Sequence, residues 1–430
     1  MNTRSSQTGQ LERKFMVSEE SSQIRIANTE KYSRSEGFKT ILQINGRSDL
    51  SGGPIAMLRL LQGMTNDPFL HIVVCPKNGD GIVEDLEKLT NVQTEFLELR
   101  QITLSTIIKL NRLLQDKPVD LIHSHGKAAG LYGRFLGRWL GIPVLHQFHG
   151  LHYRHYLPGL RGTYLKIEQI MSEWSEKIIC VSESECAEAE SLRLFSPGKG
   201  LVIPNGVDGN KFQKNAEQRE SLREQWKIPE NAWVLLSITR ASVQKDLEMT
   251  LAVHQLLRRE HPKCVLVLAG VKPEEFQRLV RKQINCDSSH VICAPPEHCM
   301  ERLINVADCY LSTSRWEGFS LGLIEALAMK LPAVISRVTG NLDFIGLESE
   351  GVFLVPQGNA QGYVTKIKHL MDANIRGRNA RSLVLERYSQ KRIHIQFKEL
   401  YRQLLGTTTP PLEMNKDSQK TFKINRVAAL

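Results

Sequence analysis

From Lys39 onward the chain alternates short runs of aliphatic and β-branched residues with longer amphipathic stretches, and after Pro204-Asn205-Gly206 the alternation starts again. Such a pattern leaves few options. Parallel strands need crossovers of a dozen or more residues, and those crossovers cover both faces of the sheet they serve. In the first set the candidate strands are Thr40–Ile44, His71–Cys75, Leu121–His123, Val144–Phe148 and Lys177–Val181. Stretches such as Leu104–Leu114 and Leu131–Leu140 lie between them with apolar residues at helical spacing. The second set is Val234–Thr239, Val265–Gly270, Val291–Cys293, Cys309–Ser312, Ala333–Ser336 and Val352–Val355. The pattern predicts an α/β chain of two Rossmann-like domains, residues 39–205 and 206–388, joined near residues 204–215. Residues 389–406 form one more amphipathic helix. A polar extension, 1–38, precedes the first strand. The Thr-, Pro- and Lys-rich tail, 407–430, has the composition of a disordered segment.

At roughly 150 residues per domain, 430 residues suit two or three domains. No apolar run approaches the roughly 20 residues that span a bilayer, and the N-terminus lacks the apolar centre of a signal peptide, so the expected location is the cytoplasm. A net charge of +10 suits nucleic acid, an anionic membrane surface or acidic small molecules. No nucleic-acid-binding pattern accompanies the charge, which leaves phosphorylated ligands and anionic lipid. Among the eight cysteines, the group Cys286, His290, Cys293, His298 and Cys299 has the residue types of a zinc site. Its spacing matches no common finger or ribbon, and reduced thiols without metal are the expectation.

Four motifs carry chemistry. Gly52-Gly53-Pro54 follows the first strand, where glycines permit close backbone approach and proline suits a first helical turn. His149-Gly150 ends a buried strand, and His123 and His125 end its neighbour; ligands of parallel sheets bind beyond such ends. Arg240 and Lys245 follow the first strand of the second set, where two cations can hold a diphosphate and stabilise its departure. The fourth motif is Glu317-Gly318-Phe319-Ser320-Leu321, with Glu325 further on. Gly318–Leu321 is expected to open a helix whose unpaired N–H groups face phosphate or sugar oxygens. Glu325 lies within that helix, tilted back towards a ribose.

Together these residues resemble the retaining glycosyltransferases of family 4, which have the GT-B fold. Glu317 and Glu325 match that family's E-x₇-E motif, and Val202-Ile203-Pro204-Asn205-Gly206-Val207-Asp208 is similar to its interdomain segment. Arg240 with Lys245 matches its donor diphosphate pair, Gly52-Gly53 its glycine loop, and Tyr388-Ser389 with the following helix its closing segment. His123–Gly130, His149–Arg154 and Ile179–Glu185 resemble the branch that builds capsules, exopolysaccharides and O-antigens. The sequence departs from the family at Asp246, where glycine is usual, at Leu331, and at Asp343, where glutamate is common.

The resemblance implies a cleft between the two domains and a last helix that crosses back to the first. It implies a nucleotide-sugar donor, UDP- or GDP-linked, held by Gly52, Gly53, Arg240, Lys245, Glu317, Gly318, Phe319, Ser320, Leu321 and Glu325. His149, Glu317, Arg240 and Lys245 would act in catalysis, with no metal or other cofactor. The acceptor would be a polyprenyl-diphosphate-linked glycan at the inner face of a bacterial membrane, and configuration would be retained. Residues 125–170 contain Lys127, Arg134, Arg138, Arg154, Arg161 and Lys166 against Glu168, interleaved with Trp139, Tyr153, Tyr156 and Tyr164. That mixture suits an anionic bilayer surface. The alternatives are a sugar-nucleotide epimerase or glucan synthase on the same fold, or a non-catalytic nucleotide-sugar-binding protein.

Overall fold

The computed structural model describes residues 38–77, 81–154, 156–281, 289–373 and 378–407. Residues 1–37 and 408–430, read above as extension and tail, lie outside these.

Two parallel sheets organise the chain. The first runs in the order β3-β2-β1-β4-β5-β6-β7. Its strands are β1 (Lys39–Asn45), β2 (Phe69–Cys75), β3 (Val92–Phe96), β4 (Leu121–His125), β5 (Val144–Gln147), β6 (Lys177–Cys180) and β7 (Gly200–Val202). The second runs β10-β9-β8-β11-β12-β13. It comprises β8 (Val234–Ile238), β9 (Val265–Ala269), β10 (Val291–Ala294), β11 (Cys309–Ser312), β12 (Ala333–Ser336) and β13 (Val352–Val355). In both, the order reverses beside the first strand of the set, so the connections after β1 and β4, and after β8 and β11, diverge to leave a crevice at the carboxyl ends.

The central strands are rich in aliphatic residues because both their faces are covered, although β1, β4 and β5 also bury Gln43, His123, His125 and His146. Ile41, Leu42 and Ile44 of β1, and Leu235 and Leu236 of β8, are fully buried. All eleven strands read from the sequence are present, three with the same ends and the others shifted by one or two residues. Val92–Phe96 and Gly200–Val202 are additional. The first is a sheet edge with its residues only half buried, and the second has three residues, too few for periodicity to register.

Seven helices position the site: α1 (Gly52–Gln62), α2 (Leu104–Asp116), α3 (Gly126–Leu140), α4 (Pro158–Ser172), α5 (Glu183–Ser191), α6 (Leu321–Ala328) and α7 (Gln390–Leu404). Helix α7 buries Ile393, Phe397, Leu400 and Tyr401, one stripe at helical spacing, against Ile41, Leu60, Phe69, Leu121 and Ile179 of the first domain. The chain therefore ends on the domain where it began. A bridge between Val207 and Ser389 ties the incoming linker to the outgoing one. Val207 N–H donates to Tyr388 O at 2.8 Å and Gln390 N–H to Val207 O at 3.0 Å.

Candidate active site

The second domain supplies the charged half of the cleft. After β8 the backbone passes Arg240 and makes a short 3₁₀ turn, Val243–Lys245. Gln244 braces this corner: its Oε1 accepts from Arg240 Nη2 at 3.1 Å and its Nε2 donates to Trp316 O at 3.1 Å. Lys245 Nζ donates to Glu317 Oε1 at 2.6 Å. Burial pulls the Arg240 pKa below its usual value, and the Arg47 cation adds to the effect. Asp246, the departure beside this pair, does not cap the following helix. It adopts left-handed backbone with φ 47° and forms a bidentate pair with Arg315, at 2.9 and 3.1 Å. Its charge is thus neutralised from the side.

Past β11 the expected helix start is corrected. Helix α6 begins at Leu321, and Ser320 is its N-cap, accepting from Leu323 N–H at 3.3 Å. Gly318 and Phe319 precede the helix. Phe319 turns its ring into the core against Phe344 and Tyr388, with centroids 5.7 and 4.9 Å away. Ser320 and Leu321 stay at the helix mouth, where first-turn N–H groups remain for an anion.

The first domain supplies the facing wall. Gly52 and Gly53 open α1. A Cβ on Gly53 would sit 3.8 Å from the His149 ring, and one on Gly52 would sit 3.9 Å from Leu321 Cδ1. The glycine loop therefore lies between His149 and the mouth of α6. A Cβ on Gly318 would come within 2.5 Å of Gly150 N, so the domains meet backbone to backbone here and no side chain fits. Burial pulls His149 down to about 4, making it a neutral imidazole at pH 7. The three strand-end histidines do not share one position. His123 lies deeper, fully buried, 2.7 Å from Tyr401 Oη of α7, while His125 stacks on His149.

The predicted Glu325 faces the other domain. It forms an ion pair with Arg59 of α1, whose guanidinium also donates to Gly206 O at 3.3 Å and lies over the Phe212 ring. Other contacts close the same seam. Ser182 Oγ donates to Gly318 O at 2.7 Å, and Trp316 Nε1 to His152 Nδ1 at 3.0 Å. Asp343 accepts from Glu183 N, Ser184 N and Ser184 Oγ at 2.6–2.9 Å, capping α5 from across the cleft. The carboxylate of Glu185 accepts from Gly150 N at 2.6 Å and holds the turn after His149. Arg59 and Gln244 do not stand out as site residues in sequence, because each carries its signal through partners in other elements; Glu185 and Asp343 fall at positions that resemble the family, but nothing local assigns them these contacts.

The basic stretch 125–170 needs correcting as a surface. Arg134 and Glu168 are both buried and pair at 2.5 Å between α3 and α4. Arg154 pairs with Glu188 at 2.5 Å, and Lys127 sits over the rings of Tyr156 and Tyr164. What the two helices expose instead is Phe135, Trp139, Leu157, Leu160, Ile167 and Ile170, with Arg138 and Lys166 among them. Among the described residues no three His, Cys, Asp or Glu side chains could hold a metal ion. Cys286 of the zinc-type group lies outside the described residues. Nor is any described helix long and apolar enough to cross a membrane.

Comparison with known proteins bears on both halves. Residues 50–211 match the family described as Glycosyltransferase Family 4, and residues 218–384 match Glycosyl transferases group 1. The chain is 22% identical over 365 residues to the UDP-Gal:alpha-D-GlcNAc-diphosphoundecaprenol alpha-1,3-galactosyltransferase of Escherichia coli, covering 82% of this chain and 94% of that one. It is 24% identical over 249 residues to the GDP-mannose:cellobiosyl-diphosphopolyprenol alpha-mannosyltransferase of Komagataeibacter xylinus, covering 56% and 59%. Among solved structures, Anabaena HepE in complex with UDP-glucose superposes with a TM-score of 0.73 at 17% identity, over 85% of this chain and 99% of that one. Sucrose-phosphate synthase of Thermosynechococcus elongatus gives 0.73 at 22%, over 86% and 100%. At these identities the superpositions establish the fold.

Proposed function

Because this chain is a family 4 glycosyltransferase of the GT-B fold, we propose that it transfers a sugar from a nucleoside-diphosphate donor to a lipid-diphosphate-linked glycan, with retention, in the building of a cell-surface polysaccharide. The observation that carries this reading is the meeting of two half-sites. Arg240, Lys245 and Glu317 stand at the β8/β11 crevice, and the glycine loop and His149 stand opposite, at the ends of β1 and β5.

In this reading the donor diphosphate lies against Arg240, Lys245 and the first turn of α6 at Ser320 and Leu321. Cationic side chains and a helix N-terminus, with no metal, disperse the charge of the departing nucleoside diphosphate. The Lys245–Glu317 pair receives both halves of the donor: the diphosphate attracts the ammonium, and a sugar hydroxyl donates to the carboxylate. His149, neutral and beside Gly53, contacts the transferred sugar. Glu325 serves the ribose from one turn deeper in α6, sharing its charge with Arg59. The acceptor approaches from the first domain, on the face from which the leaving group departs.

The lipid-linked acceptor is supported by what two relatives act on by name, a diphosphoundecaprenol-linked and a diphosphopolyprenol-linked sugar. It is also supported by the apolar and basic face of α3 and α4 on the acceptor-side domain. That face would rest on the anionic inner surface of the membrane and keep the enzyme cytoplasmic and peripheral. A panel of UDP-, GDP- and ADP-sugars, each incubated with and without polyprenyl-diphosphate-linked glycan, tests the reading. One donor should release nucleotide much faster with the lipid acceptor present. Release independent of acceptor, or binding without release, would favour an epimerase or a binding protein.

A further inference from the structure

A buried hydrogen-bond chain joins the last helix to His149, and Gln43 stands at its centre. Gln43 shares a face of β1 with Ile41, the face that α7 covers. Its amide nitrogen lies 3.0 Å from Tyr401 Oη and 3.3 Å from His71 Nδ1, and its oxygen lies 2.8 Å from His125 Nε2. His125 Nδ1 lies 3.4 Å from His149 Nε2, with the rings stacked 5.6 Å apart. Tyr401 Oη lies 2.7 Å from His123 Nδ1. Gln43 and His123 have no exposed surface, and His71 and His125 have almost none.

The donors and acceptors can be counted through this chain. A glutamine amide offers two N–H groups on one side and a carbonyl oxygen on the other. Its oxygen fixes a proton on His125 Nε2, so His125 Nδ1 is bare and accepts from His149 Nε2–H. The second nitrogen of His149, Nδ1, is then bare as well. Tyr401 accepts from Gln43 and donates to His123 Nδ1, and His71 accepts through Nδ1. Turning the amide over would invert every assignment and place a proton on His149 Nδ1. Burial keeps these rings uncharged, with His71 and His123 pulled down to about 3 and His149 to about 4.

We infer that Gln43, acting through His125, sets the tautomer of His149, so that His149 offers Nδ1 as an acceptor to a hydroxyl of the transferred sugar. This rests on the reading of the cleft as a sugar-transfer site. Gln43 and His125 are positioning residues, and Tyr401 extends the same control to the crossover helix. A neutral acceptor nitrogen selects donors that carry a hydroxyl at that place, because a donor lacking it leaves the site's polar atom unpaired.

Nitrogen-15 spectra of the full chain, labelled in histidine, test the tautomer without reference to activity, with the His149 resonances assigned from their absence in His149→Ala. The expected spectrum has His149 protonated at Nε2 and bare at Nδ1. Gln43→Glu keeps an acceptor towards His125 and, as the neutral acid that burial in this core favours, a donor towards Tyr401, so it should keep both the tautomer and kcat, within about twofold. Gln43→Leu should give mixed tautomers and lower kcat about tenfold with donor KM little changed. If the leucine variant does not fold, Gln43→Met, of similar length and adaptable shape, takes its place. In a His149→Ala background the apolar variant should cost nothing further. A purely structural role for Gln43 predicts the opposite ranking, because burying a carboxyl group in this core is costlier than burying leucine. That ranking, or one His149 tautomer in all variants, overturns the inference. Unchanged transfer by His149→Ala would instead remove His149 from the site, and the spectra would still decide whether Gln43 sets its tautomer.

Discussion

Lys245 and Glu317 meet at 2.6 Å with side chains 19% and 7% exposed. At that burial neither charge is stable alone, since removing one partner leaves the other desolvated and unpaired, at a cost of about 3–5 kcal/mol. An exposed pair would be worth about 0.2–1 kcal/mol, so burial makes these two residues one unit. The sequence motifs assign them separate tasks, the lysine to the diphosphate and the glutamate to the sugar. The structure adds that each holds the other in place before any substrate arrives. Arg240 stands apart from this unit, bonded to Gln244. Arg240→Ala should therefore reduce turnover about a hundredfold, as loss of a leaving-group contact does. Lys245→Ala and Glu317→Ala should each cost a similar factor, while the double variant should be no worse than the worse single one. Glu317→Ala should still bind nucleoside diphosphate in a calorimeter. A cycle in which the Lys245 and Glu317 losses simply multiply in kcat/KM would show that the two act independently.

At the scale of elements, the contact that most defines the cleft is helix α1 against helix α6. Leu321 and Glu325, one turn apart, meet Gly52 and Arg59 on the facing helix. The Arg59 and Glu325 side chains are 16% and 5% exposed, which places this pair in the buried class. Arg59→Leu should lower unfolding free energy by about 3 kcal/mol or more, because it strands a buried carboxylate. Adding Glu325→Gln should recover most of that loss, as read from urea midpoints at constant slope. A loss below 1 kcal/mol in the single variant would mean that water reaches Glu325 and that the seam opens readily in solution. Arg59 also marks where sequence reading stops. The central strands are legible because burial on both faces makes them rich in aliphatic residues, and the crevice candidates are legible because they follow the strand ends of a parallel sheet. Arg59 lies on an ordinary amphipathic helix 266 residues from its partner, and Gln43 in an ordinary strand 358 residues from Tyr401. The meaning of Arg59 comes from the closure of two domains and that of Gln43 from the return of helix α7 to the first domain, and no local pattern encodes either. Helix α6 starts at Leu321 rather than at Gly318 for a nearer reason: Ser320 caps it, while Gly318 serves the contact with Gly150.

For the whole molecule, the question is where its excess positive charge goes. Much of the basic stretch of the first domain is consumed internally, Arg134 by Glu168 and Arg154 by Glu188. The face that remains is apolar with a basic fringe: Phe135 and Trp139 on α3, their rings 5.8 Å apart, and Leu160, Ile167 and Ile170 along α4, with Arg138 and Lys166 between. These exposed apolar groups on two paired helices motivate the prediction of an interaction surface. Its aromatic and basic composition suits lipid headgroups. Helix α3 begins beside His125 and α4 follows the His149 turn, so a bilayer under this face would bring a lipid-linked acceptor to the first-domain side of the cleft. The protein should co-sediment with vesicles containing anionic lipid and not with neutral ones. Raising salt well above 0.1 M, where screening acts within about 10 Å, should release most of it. Replacing Arg138 and Lys166 by glutamine removes about 1 kcal/mol per cation, about thirtyfold in binding together. Trp139→Ser with Leu160→Ser should weaken binding to a degree that salt does not change, since apolar insertion is not screened. Both sets lie outside the cleft and should leave acceptor-independent nucleotide release untouched while slowing transfer to a lipid acceptor. Binding indifferent to lipid charge would mean that apolar insertion alone holds this face to the bilayer, and no binding at all would mean that this face meets another protein and that the acceptor reaches the cleft from solution.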